Sequence, residues 1–197
     1  MATSSEDGDD EPEGLSGRLL IAMPGIGDPR FERALIFVCA HSDEHAMGLT
    51  VNRPLDGLNV PELLERLGVT TLSPLDPAPV LAGGPVERER GFVLHTDDYR
   101  TPDSTLPVSE GLALTATREV LEAMGDTQRR PRYAVLALGY AGWGAGQLED
   151  ELKDNVWLTC DPDDELLFGS DHDGKWARAL EKLGVDAAKL SSLSGRA

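Results

Sequence analysis

The sequence predicts an α+β domain built on a mixed β-sheet. Short, apolar, β-prone runs come in clusters joined by Gly and Pro turns, and amphipathic stretches of helical spacing are inserted among them irregularly. A doubly wound parallel sheet would alternate strand and helix regularly. The size agrees: 197 residues with 40% hydrophobic content are enough for one domain with its own core, needing neither disulfides nor a structural metal.

In chain order, residues 1–13 (MATSSEDGDDEPE) hold six acids and no base. They carry too little apolar surface to offset the entropy of ordering, so a disordered acidic tail is expected, followed by a single domain over residues 14–197. Strand-like runs then occur at 15–23, 34–40, 46–52, 79–83, 91–96, 112–117, 133–140 and 156–160. Pro29, Pro54, Pro85 and Pro131 mark boundaries beside them. Helical spacing marks VPELLERLG, TREVLEAMG, GQLEDELKDN and HDGKWARALEKLG, the first and last closing on a Gly stop. In the last helix Trp176, Leu180 and Leu183 are expected to face the core. The longest apolar stretches, 19–23 and 34–40, fall well short of the roughly 18 residues of a membrane span. No basic, apolar leader opens the chain, so the expectation is a soluble cytoplasmic protein without a membrane partner. Cys39 and Cys160 read as reduced core thiols.

The net charge is -17, from 18 Lys plus Arg against 35 Asp plus Glu, and both ends of the chain are acidic. Nucleic-acid affinity comes largely from cations on phosphates, so direct nucleic-acid binding is not expected. The best basic cluster, Arg129, Arg130 and Arg132 around Pro131, reads as a solvated loop.

Candidate chemistries mostly fail on their own requirements. MPGIGDPRF (23–31) lacks the third glycine of a dinucleotide turn and leads into a strand, so it reads as a bend. GYAGWGAGQLEDELKDN (139–155) has the glycines of an anion nest. It also sets Glu149, Asp150 and Glu151 in the first helical turn, where they repel a phosphate. Cys39, His41 and His45 lack a fourth metal ligand, and the two histidines read as hairpin-turn residues; no metal and no cofactor are expected. His95, beside Asp97 and Asp98, has the makings of an oriented base but no nucleophile. The acidic segment 161–174 lacks the alternating carboxylates and terminal Glu of a calcium loop and reads as a solvated loop with a capping Asp.

Four blocks in order carry a resemblance: GRLLIAMPGIGDPRFERALIFVCAHSDEHAMGLTVNRPL, LAGGPVERERGFVLH, LGYAGWGAGQLEDELKDNVWL and KWARALEKLGV. Together they resemble the YqgE/AlgH family of bacterial proteins, from Leu15 onward. The resemblance implies a branched sheet curled into a pseudo-barrel with flanking helices. It implies little about activity: one branch bears a name linking it to regulation of alginate synthesis and is described as a transcriptional regulator, without an established mechanism. The acidic N-terminal extension and His45 in the hairpin turn depart from the family pattern.

The resulting expectation is a non-catalytic binding or regulatory module acting through an unidentified protein or small-molecule partner. Its binding residues would be Asn52, Arg53, Gly83, Gly84, Arg90, Tyr140, Gly142, Trp143, Gly144 and Gln147, converging on one surface. One alternative is an enzyme on a small polar or anionic substrate, with His95 as base, Arg53 or Arg90 as anion clamp and Glu149 as second acid-base group. The other is a DNA-binding regulator, which the charge disfavours.

Overall fold

The computed structural model describes residues 14–194; the acidic tail expected over 1–13 lies outside them. The elements are β1 (Leu19–Ala22), a 3-10 turn (Pro29–Phe31), β2 (Leu35–His41), β3 (His45–Thr50), β4 (Pro54–Asn59) and α1 (Val60–Arg66). Then come β5 (Pro79–Ala82), β6 (Val86–Thr96), β7 (Thr105–Ser109), β8 (Leu112–Thr115), α2 (Arg118–Met124) and β9 (Ala134–Gly144). The chain closes with α3 (Gln147–Lys153), β10 (Trp157–Cys160), α4 (Asp164–Phe168), α5 (Lys175–Lys182) and α6 (Ala187–Ser194). All eight expected strands are present. β4, β7, α4 and α6 were not anticipated, and α4 occupies part of the segment read as a solvated loop.

The fold is α+β: a curled sheet forming a half-barrel, with helices against it. Strand order is β10-β1-β2-β3-β9-β6-β8-β7, with β4 and β5 on a branch. Pairs are antiparallel except β5 with β9, so the sheet is mixed as expected. The branch point lies within β9. Its first half pairs with β5 through Ala137 and Leu138, and its second half pairs with β3 from Ala141 to Gly144. β6 lies along its other side.

Glycines permit the crossing. Gly139 has φ +78, and a Cβ there would sit 2.4 Å from the Gly84 carbonyl oxygen. A Cβ on Gly83 would meet the Gly139 carbonyl oxygen at 2.2 Å, and one on Gly84 the Tyr140 carbonyl carbon at 2.0 Å. Gly83 bridges both halves, donating to Leu138 and accepting from the Thr50 N–H, each at 2.8 Å.

The unbroken apolar runs of β1 and β2 follow from burial on both faces. Leu19, Ile21, Leu35 and Phe37 face the concave interior, filled by Leu166 and Leu167 of α4 and Trp176 and Leu180 of α5. Leu20, Ala22, Ile36 and Val38 face outward under Leu148 of α3, with Trp143 and Trp157. A third cluster packs α1 and α2, through Val60, Leu64, Val120 and Ala123, on Val80, Val93 and Leu136. α1 starts on a capping box between Asn59 and Glu62, which satisfies two N-terminal backbone donors. Trp176 packs in the core as expected, whereas Leu183 is 41% exposed because α5 ends before it. Both cysteines are buried and free, and burial pushes the Cys39 thiol up to about 12. No helix of the described residues is long and apolar enough to cross a membrane.

Candidate functional site

The structure divides the expected binding residues among three places. Asn52 and Arg53 lie in the turn after β3 and hold the loop around the 3-10 turn. Asn52 accepts from the Leu35 N–H at 2.9 Å and donates to the Arg33 carbonyl at 2.8 Å. The Arg53 guanidinium donates to the carbonyls of Arg30 and Glu32. Asp28 caps the same turn and grips the Arg30 side chain, whose hydrogen bond holds the carboxyl below its ordinary range. Gly83 and Gly84 belong to the branch point, where backbone contact fills the space a side chain would need. These two turns therefore do not converge with the third.

The third place is a groove of about 560 Å³ at the mouth of the half-barrel. β6 and β9 supply Phe92, Arg90, Tyr140, Gly142 and Trp143; β3 supplies His45 and Met47; β7 supplies Leu106. Alternation along β9 directs Tyr140 and Gly142 to one face. Gly142 has no side chain to fill the recess, and Tyr140 meets Phe92 edge-to-face at 5.7 Å. The Arg90 guanidinium lies 5.2 Å over the Phe92 ring, a cation on the negative face of an aromatic quadrupole. It also reaches Glu87 at 3.4 Å. Val86 and Leu106, both lining the groove, are 37% and 46% exposed.

Gln147 and Gly144 support this groove from behind. The Gly144 N–H donates to the Gln147 side chain at 3.0 Å, and Gln147 donates to Glu151 at 3.0 Å. Glu151 also accepts from two indole N–H groups, those of Trp143 at 2.9 Å and Trp157 at 2.7 Å. One carboxylate thus orients Trp143 under the groove floor. In the sequence Glu151 counts only as a charge against phosphate; its place one helical turn after Gln147 on the same face of α3 was the usable signal of this further role.

The catalytic alternative is not assembled. His95 is fully buried; it donates from Nδ1 to the Thr96 carbonyl at 2.7 Å and accepts at Nε2 from the Thr115 hydroxyl at 2.8 Å. Because a carbonyl only accepts, this fixes the tautomer and leaves neither nitrogen for a substrate proton. Burial pushes the imidazole below its ordinary value. Thr115 in turn accepts from Thr105 at 2.9 Å, and Thr105 from Thr101 at 3.2 Å, so the histidine ends a chain of hydroxyls.

Glu149 pairs instead with His41 at 2.5 Å, while the other His41 nitrogen accepts from the Leu15 N–H at 3.2 Å. The Glu149 carboxyl is held low by its own backbone N–H at the start of α3 and by His41. Neither His95 nor Glu149 hydrogen-bonds Arg53 or Arg90. The possible metal trio is likewise dispersed: Cys39 points into the core toward Phe37, His41 faces Glu149, and His45 lies beside Ser42 in the hairpin. Lys175 is a further unanticipated group, fully buried with Nζ 3.0 Å from the Val51 carbonyl. Burial pulls it down to about 8. A lysine opening a polar helix gives no sequence sign of burial.

Comparison with known proteins matches residues 19–188 to a family model described as AlgH-like. A UPF0301 protein of Caulobacter vibrioides is 63% identical over 96% of this chain and 97% of its own length. One of Ruegeria pomeroyi is 54% identical over 93% and 99%. Among solved structures, the AlgH protein of Pseudomonas aeruginosa superposes with a TM-score of 0.74 at 39% identity, covering 97% of each chain. A Corynebacterium diphtheriae protein shares the fold, with a TM-score of 0.66 at 16% identity over 85% and 86%. The half-barrel with its glycine crossing and the matched span of sequence agree: this chain belongs to the AlgH-like family.

Proposed function

We propose that the protein is a non-catalytic, cytoplasmic binding module whose half-barrel groove takes an extended segment of a partner protein, apolar side chains flanking a carboxylate. The observation that carries this reading is the groove shared by Arg90, Tyr140, Gly142 and Trp143. Its apolar walls supply burial, and Arg90, aimed over Phe92, supplies a cation for the carboxylate. Exposed Val86 and Leu106 extend that apolar surface. Pro107 lacks an N–H within the edge strand β7, so the partner is held by side-chain contacts rather than by extending the sheet.

A phage-displayed library of linear peptides about nine residues long, selected on the intact protein, tests this. Selection should converge on sequences with apolar and acidic positions whose binding drops about tenfold in Arg90→Glu and in Leu106→Asp, with the thermal midpoint unchanged. Lack of convergence, or clones indifferent to both substitutions, would overturn the reading.

A further inference from the structure

A second recess, of about 640 Å³, lies away from this groove. It is bounded by the proline-rich segment before β5, the loop entering β9 and the loop between α4 and α5. Its floor is core surface, including Val60, Leu81 and Leu136. One wall is aromatic: Tyr133 and Phe168 stack at 5.5 Å with their planes 21° apart. The Arg132 guanidinium lies 4.9 Å from the centre of the Tyr133 ring.

Arg130 and Arg132 both line this recess, and among the described residues neither has a carboxylate within ion-pair distance. The nearby Asp98 accepts the backbone N–H of Arg132, not its guanidinium. Asp76 is the one carboxylate in the lining. Both arginines are exposed, and Asp164 and Asp98 attract Arg132 only from beyond ion-pair distance, so both guanidiniums are open to an incoming anion. Lys175 adds buried positive charge behind the lining residue His172, with its Nζ 3.3 Å from Nδ1. An apolar chamber of this size with a few convergent polar groups is the usual form of a small-molecule site.

We propose that this cavity binds a small planar hydrophobic acid: an aromatic ring system set against Tyr133 and Phe168, its carboxylate held by Arg130 and Arg132. The ring gains stacking and burial, and the guanidiniums give the head group charge-assisted, bidentate hydrogen bonds. The site is independent of the peptide groove, and either can fail without the other.

The test is titration of 2-naphthoate into the full-length, ¹⁵N-labelled chain. Saturable shifts are expected at the backbone amides of Tyr133, Phe168, Gly169 and Ser170. Affinity should fall about tenfold in the Arg130→Glu/Arg132→Glu double variant, and equally for uncharged 2-naphthol on the parent protein, but remain unchanged in Arg90→Glu. Three results overturn the proposal: no saturable shift at these amides, shifts confined to the surroundings of Arg90 and Tyr140, or equal binding of 2-naphthol and 2-naphthoate. The 2-naphthol comparison needs no substitution, so it decides the matter even where the double variant misfolds.

Discussion

His95 shows how one side chain is read differently in sequence and in space. A histidine followed by two aspartates suggests an oriented base. In the fold the two carboxylates favour its charged form less than burial disfavours it. The consequence appears in stability against pH. As pH falls below about 6.5, the ordinary value for this side chain, the unfolded chain takes up a proton that the native imidazole resists. Stability attributable to neutral His95 is therefore complete above that pH and is lost as pH falls toward the lower native value. His172, also pushed down by burial and by Lys175, acts with the same sign. The thermal midpoint should thus decrease from pH 7 to pH 5, and the decrease should be smaller in His95→Gln, as followed by circular dichroism. An equal slope in the variant would assign the effect elsewhere.

At the scale of elements, Gly83 and Gly84, expected among the binding residues, sit with Gly139 at the branch point, where backbones cross too closely for a side chain. Ala at Gly139 would combine positive φ with a Cβ 2.4 Å from a carbonyl oxygen; Gly111 has φ +79 but nothing within 4 Å of its Cβ. Gly139→Ala should therefore cost about 3 kcal/mol or more in urea unfolding, and Gly111→Ala only about 1 kcal/mol. Similar costs at the two sites would mean the crossing is not tight. The eight strands legible in the sequence are those with buried residues, whose apolar runs stand out from the turns that bound them. β4 (PLDGLN) and β7 (TLPVS) escaped because each is largely exposed and carries a Pro, with Asp and Gly besides in β4, so neither shows the alternation that a half-buried strand displays. α4 escaped because five residues are too few to show a helical period.

For the whole molecule, composition and order of elements gave the α+β class, while the groove could not be traced from them. Its walls come from β3, β6, β7, β8 and β9, distant in sequence and brought together only by the curl of the sheet. Tyr140 and Trp143 stood out because large aromatics in a glycine-rich segment are conspicuous; Phe92 and Leu106 look like any core residue until the curl of the sheet sets them in the groove lining. Arg130 and Arg132 were legible as a basic loop and are exposed, as a solvated loop should be; the recess that they border was not legible, because its walls come from three separate segments.

Residues 134–144 run without interruption from one half of the sheet into the other, and that continuity has a thermodynamic meaning. Neither half can melt while the other persists, because each would strip hydrogen-bond partners from the same strand. Amide protons of Ile36 and Leu49 on one side, and of Val93 and Leu136 on the other, should exchange with a single opening free energy equal to that of global unfolding. Two distinct values would mean that the halves come apart at Gly139.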